Sequence, residues 1–301
     1  MSGMIGYLYL SGALAAGLAK GFCGKKISGA MHSFKDCVFI NAARMLFCVA
    51  IGFLFVLFEW NFSSLRLDWK SLGVYLLSAA GMTAFCVCWM YAYKQDAYVF
   101  LNIFTMLGSV ITCFLSFLVY EERIACNEWL GMAIFLCAVL IMSKFNKEMK
   151  GKITPLGLAI LTIGCLGSAV TDFSQKAYMR SVGESAAAFN FYTYLIGFLI
   201  LAVLQLATNA KKDGVVLSTA VKDKRHILAY FFMSLFLFLN TALKTLAAGV
   251  LGSAQIYPVL QGANLILSGL MAHFLFKERA SVKSIVAMAL AFCGLLIMNL
   301  L

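Results

Sequence analysis

Long apolar runs alternate with brief polar breaks along the whole chain. Ten runs are long enough to predict helices, over residues 4–22, 36–58, 72–93, 97–120, 127–144, 154–176, 186–207, 227–248, 252–276 and 282–301. A hydrocarbon core of about 30 Å is crossed by about 20 apolar residues of helix. No sustained alternation of apolar and polar positions marks a lipid-facing barrel strand. Helices also satisfy their own backbone groups in lipid. The pattern therefore predicts an all-α integral membrane protein with ten transmembrane helices.

Composition sharpens that reading. Of 301 residues, 62% are hydrophobic and 12% charged, against about 25% charged in soluble domains. So little charge cannot cover a soluble globule of this size, which excludes a water-soluble enzyme. The net charge of +11 sits in short basic runs between apolar segments. It points to a lipid bilayer partner rather than nucleic acid. Most of the ten cysteines, including Cys48, Cys86, Cys88, Cys113, Cys137, Cys165 and Cys293, lie in apolar runs without a CxxC pair. They read as small buried hydrophobes, with no metal site and no cofactor. The N-terminus lacks a basic n-region, so the first apolar segment is expected to stay. The longest loop, about 208–226, is too short for a nucleotide-binding domain. Gly24-Lys25-Lys26 lacks the upstream Gly and the Ser/Thr of a Walker A loop, so ATP-driven pumping is not expected.

The chain repeats itself. At an offset of 156 residues, Glu122-Arg123 falls on Glu278-Arg279 and Lys20 on Lys176. Met132, Ala133, Cys137, Leu140, Ile141 and Met142 fall on Met288, Ala289, Cys293, Leu296, Ile297 and Met298. The halves, 1–150 and 151–301, each hold five spans. An odd number turns the second unit upside down, which makes an inverted-topology repeat around a central cavity.

The span-four to span-five signature Phe117-Leu118-Val119-Tyr120-Glu121-Glu122-Arg123 with Trp129-Leu130-Gly131, and its copy Phe274-Leu275-Phe276-Lys277-Glu278-Arg279, carry a family resemblance. The whole chain resembles the EamA-type, ten-helix members of the drug/metabolite transporter superfamily. The resemblance implies a 5+5 bundle that moves small metabolites by alternating access. Two departures stand out: family members often carry Pro in spans four and nine, and here Pro258 has Asn102 as its counterpart. Gly131 has Ala287.

Loop charge is lopsided. We place 16 Lys and Arg on one side, 4 on the other and 4 within spans. The positive-inside rule then puts the basic side in the cytoplasm of a plasma membrane, read as bacterial, with both termini outside. Relatives of the resembled family are commonly drawn with both termini inside.

Polar groups inside the spans are the candidate machinery, because an intramembrane charge is costly unless paired or wet. Lys244 follows Asn240 by one turn and shares its helix face. Asp172 can pair with Lys176 at i,i+4 or meet Lys244 across the bundle. Fixed between lysines it is a structural ion pair; separated from them by a cavity it titrates and couples transport to protons. Arg44 with Asn41 is a gate or end-cap network, or a substrate contact. Lys20 and Lys176 lie at span ends, where snorkelling competes with ligand binding. Tyr257, Gln261 and Asn264 form a polar stripe on span nine, and Asn102, Thr105 and Ser109 an equivalent one on span four. These stripes read as cavity walls or as interhelical hydrogen bonds. Trp89 stacks on a ligand or anchors the interface. Glu122 and Glu278 read as loop-start structural charges, and Gly17-xxx-Gly21 permits close helix approach in a monomer or homodimer.

The function expected is a secondary transporter of a small polar metabolite, such as an amino acid or nucleoside, with a proton or sodium gradient as the coupling partner. The alternative is a proton-coupled exporter of cationic drugs that uses Asp172. A membrane enzyme or a non-transporting receptor is a third class, but no HExxH, paired acids or signalling loop supports it.

Overall fold

A computed structural model of the protein describes residues 2–27, 34–59, 62–94, 98–143, 155–183, 185–209, 224–276 and 282–300. Ten long α-helices follow one another: α1 (Ser2–Ile27), α2 (Phe34–Glu59), α3 (Trp69–Lys94), α4 (Tyr98–Tyr120), α5 (Cys126–Ser143), α6 (Pro155–Ser181), α7 (Ala186–Asn209), α8 (Lys224–Val250), α9 (Ser253–Phe276) and α10 (Val282–Leu300). No strand occurs among the described residues. Five stretches, Phe34–Glu59, Trp69–Tyr91, Gly157–Ser181, Ala186–Ala207 and Ile227–Val250, are long and apolar enough to cross a membrane by length and composition. Shorter apolar stretches lie at Phe104–Tyr120, Cys126–Ala138 and Ile285–Met298.

The distribution of polarity is that of a protein solvated by lipid. Leu118, Val119, Val203, Leu206 and Phe274 are exposed, while Arg44, Asp172, Gln175, Lys176 and Asn190 are buried. Buried hydroxyls return to their own helix backbone, as Thr171 does to the Gly167 carbonyl and Ser174 to that of Val170. Of the cysteines expected to be buried, Cys137 and Cys293 are instead exposed on the outer surface.

Each half packs on the other. The closest partners are α1 with α8, α3 with α6, α2 with α7 and α5 with α10. Shifting every helix by five places turns the α1–α8 contact into α6–α3, and α4–α6 into α9–α1. The contact pattern is thus its own image, as an inverted repeat requires. At the α3–α6 crossing the backbones touch: a Cβ on Gly81 would lie 2.7 Å from the Gly167 carbonyl oxygen. Such close approach needs glycine on both helices.

The short connections fix direction. Consecutive helices run up and down, so the C-terminal ends of α1 and α3 share one face. The ends of α6 and α8 reach the other, together with the start of α9.

Candidate functional site

The first, third and fourth helices of each half enclose a cavity. It is lined from α1 by Gly17 and Lys20, from α3 by Met82, Phe85 and Trp89, and from α4 by Thr105. The second half supplies Ser168, Thr171 and Asp172 (α6), Leu237, Asn240, Thr241 and Lys244 (α8), and Leu260, Gln261 and Asn264 (α9). Water centres have about 60 Å3 to occupy, room for a few waters at ~10–15 Å3 each.

Gly17 makes this space. A Cβ there would lie 3.1 Å from Asn240 Nδ2 and 3.2 Å from Asn264 Oδ1. Asn240 is held in place because its Nδ2 donates to the Ala13 carbonyl at 2.6 Å. Lys244 Nζ forms a buried ion pair with Asp172 Oδ1. Asp172 Oδ2 is buried without a hydrogen-bond partner. The pair is therefore half-satisfied, and the open oxygen belongs to a cavity-lining side chain. On the other side Lys20 Nζ lies 5.0 Å from the Trp89 ring centroid and 5.8 Å from that of Phe85.

Several expected site residues sit elsewhere. Tyr257 is fully buried beneath the cavity; its hydroxyl donates to the Asp172 carbonyl at 2.7 Å, and Lys244 Nζ stands 5.9 Å from its ring. Pro258 lies inside α9, between Tyr257, which braces α6, and the lining residues Gln261 and Asn264. Arg44 is buried behind Trp89, with Cζ 5.7 Å from the ring, and donates to Asn41 Oδ1 at 2.8 Å. Asn41 in turn donates to the carbonyls of Cys37 and Cys86. Arg44 and Asn41 thus back the wall and do not line it. Ser109 returns its hydroxyl to the Met106 carbonyl at 2.7 Å, so of the two described members of the expected α4 stripe Thr105 lines the space and Ser109 does not. The side chain of Asn102 lies outside the described residues, as do Glu278 and His273.

Lys176 corrects the expected pairing most sharply. It neither snorkels nor meets Asp172, although both are on α6. Its Nζ lies 2.8 Å from Glu122 Oε1 and donates to the carbonyls of Leu251 (2.7 Å) and Ala248 (3.2 Å). Arg180 reaches the same Glu122 oxygen at 3.1 Å, and the Ser253 backbone N–H donates to Glu122 Oε2 at 3.0 Å. Ser253 opens α9, so Glu122 also meets the positive end of that helix. Glu121 adopts φ 52°, a left-handed turn immediately before Glu122, whose side chain is 9% exposed where it meets Lys176. Burial opposes ionisation of Glu122. Lys176 and the Ser253 N–H outweigh it and hold the carboxyl below the ordinary glutamate range. The cluster ties the α4–α5 loop to the ends of α6 and α8 and the start of α9, at the end of the bundle where α6 and α8 finish.

Sequence reasoning read Glu122 as a loop-start structural charge without finding its partners, and left Lys20 between snorkelling and ligand binding; the structure pairs the first with Lys176 and places the second at the cavity. The signal was present: Lys20 and Lys176 recur at the repeat offset, and so do Glu122 and Glu278. The cavity residues Thr171, Ser168 and Thr241 gave none, because hydroxyls are common in apolar helices. Among the described residues, no three His, Cys, Asp or Glu side chains cluster as a metal site.

Comparison with known proteins agrees with this architecture. No curated protein matches the chain. Among solved structures, one crystal structure covers 99% of this chain and 96% of its own, at a TM-score of 0.69 and 16% identity, and so shares the fold. The EamA-like transporter family matches twice, over residues 4–144 and 155–300. With nearly the whole chain matched in two five-helix pieces, this integral, multi-pass membrane protein belongs to the EamA-like transporter family.

Proposed function

We propose that the protein is a secondary transporter that carries a small polar metabolite through the central cavity by alternating access. One observation carries the reading: a polar cavity is shared by matching helices of both halves and holds the half-satisfied Lys244–Asp172 pair. Two oppositely oriented units, 1–150 and 151–301, can exchange two near-equal packings and expose one site to each face in turn. Asn240, Gln261, Asn264 and Thr105 offer hydrogen bonds, and Trp89 a ring for stacking. The basic loops face the cytoplasm and both termini the outside of a plasma membrane. A proton or sodium gradient supplies the coupling.

The test is counterflow in proteoliposomes, using compounds that first raise the unfolding temperature of the purified protein. We expect saturable flux that falls on the order of tenfold or more when Asn240 or Gln261 becomes Ala. Flux no greater than in empty liposomes sinks the reading. The open Asp172 oxygen also favours a second reading, proton-coupled export of cations. That reading requires resistance to quaternary ammonium compounds that disappears in Asp172→Asn.

A further inference from the structure

Two lysines line the cavity, and they are not equivalent. Lys244 is neutralised by Asp172. Lys20 makes no ion pair and no hydrogen bond among the described residues; its contacts are the faces of Trp89 and Phe85. Asp172 is the one acid among the described lining residues. Among these residues the wall carries one positive charge without an ion-pair partner. Arg44, buried behind Trp89, adds a second, since its guanidinium meets an amide oxygen and leaves Nε without a partner. An aromatic face offsets only part of the cost of holding a cation away from bulk water.

On this basis we infer that the transported solute is a small organic monoanion whose carboxylate docks on Lys20 beside Trp89. The inference deepens the transport reading above and rests on it. Seating a carboxylate neutralises the wall and replaces a cation–π contact with a charge-assisted hydrogen bond. The rest of the solute meets a different surface. Asp172 Oδ2 is an acceptor with no donor, and the amides of Asn240, Gln261 and Asn264 flank the space. A hydroxyl or amide N–H on the end away from the acid group satisfies that oxygen. Lys20 lies seven residues before the end of α1, and Asp172 nine residues before the end of α6. Because α1 and α6 end on opposite faces, the acid group and the donor bind at different depths. A cationic solute would meet two like charges around Trp89, and a neutral amide would leave them uncompensated.

The experiment uses the full-length protein purified in detergent. Its unfolding temperature is followed with 4-hydroxybutyrate, 5-hydroxypentanoate and 4-hydroxybenzoate, each beside its primary amide, with benzylammonium as the cation. Sodium chloride matches ionic strength throughout. The acids should raise the midpoint, and the amides, benzylammonium and chloride should not. Lys20→Gln should weaken acid binding on the order of 10- to 100-fold, and Lys20→Arg should retain it. The acid-versus-amide comparison needs no variant, so it stands even if Lys20→Gln fails to fold. The inference is overturned if no acid raises the midpoint, if amides, benzylammonium or chloride shift it as much, or if the acid shift survives Lys20→Gln. Failure of the transport reading looks different. Acids that bind through Lys20 yet never cross proteoliposomes leave the anion site and remove transport. Saturable flux of a cation or neutral solute, untouched by Lys20→Gln, leaves transport and removes the anion site.

Discussion

Lys20 and Lys176 occupy the same place in the two halves of one repeat, yet their surroundings differ in almost every respect. Lys176 is caged by Glu122 and two backbone carbonyls and lies deep in the protein. Lys20 is partly exposed to a cavity and rests on aromatic rings. Sequence symmetry thus coexists with local asymmetry, and the asymmetry has a direction. The end of the bundle around Lys176 is bolted across four segments, whereas Lys20, among the described residues, contacts ring faces alone. On the alternating-access reading proposed above, unequal states of equivalent residues are what an inverted repeat requires.

The largest expected effect comes from cutting the bolt. Lys176→Met leaves Glu122 buried with only the half-exposed Arg180 and one N–H as partners. Removing one member of a buried pair costs about 3–5 kcal/mol. The unfolding temperature in detergent should fall clearly, and Lys176→Met/Glu122→Gln should recover part of the loss. A single variant as stable as wild type would show that the cluster is not a fastening.

The second effect is a pH dependence of the same site. Glu122 is held below its ordinary range in the folded protein. Its stabilising contribution is therefore complete above the unfolded-state value and lost as pH falls through the lower folded value. Wild type should lose stability on acidification below the ordinary glutamate range, and Glu122→Gln should lose less over the same window. Parallel unfolding curves for the two proteins across that window would place the acid limb elsewhere.

The fold was legible in the sequence because lipid imposes a simple code. Ten apolar runs became ten helices, and the 156-residue offset located the halves that pack on each other. Partners were less legible. Helical spacing left Asp172 two partners, Lys176 at i,i+4 or Lys244 across the bundle. The bundle takes the second, aiming Asp172 at α8 and Lys176 at the α4–α5 loop, where Glu121 adopts a left-handed turn before Glu122. Nothing in a one-dimensional pattern says which of two neighbouring helices a side chain will meet. Arg44 shows the same limit. Spacing joined it correctly to Asn41, but only packing decides that Trp89 stands between it and the cavity. Tyr257 shares the stripe of Gln261 and Asn264 in sequence, yet it lies one turn too deep and braces Asp172.

A smaller effect tests the loose end. Lys20→Met removes an unpaired charge and keeps most of the stem that covers Phe85. Its stability should stay within about 1 kcal/mol of wild type, or rise. The contrast with Lys176→Met is the point: equivalent lysines, the same substitution, unequal outcomes. Equal losses of stability in the two variants would mean that the cavity lysine is also a structural anchor.

The smallest effect is expected at Gly17, which faces the cavity without bearing a functional group. A Cβ there sits tight against Asn240 Nδ2 and Asn264 Oδ1. Both are side-chain ends, but Asn240 is tethered to the Ala13 carbonyl, so Asn264 must give way. A shift of a few tenths of an ångström should cost under about 1 kcal/mol of stability. It should nonetheless narrow a space that admits only a few waters. Gly17→Ala should therefore unfold at nearly the wild-type temperature while binding or flux falls several-fold. Gly81→Ala is the counter-case. There the obstacle is the Gly167 backbone carbonyl at 2.7 Å, so the α3–α6 crossing must open and stability should fall first. If Gly17→Ala costs stability and spares flux, the space beside Asn240 is a packing seam and the solute passes elsewhere.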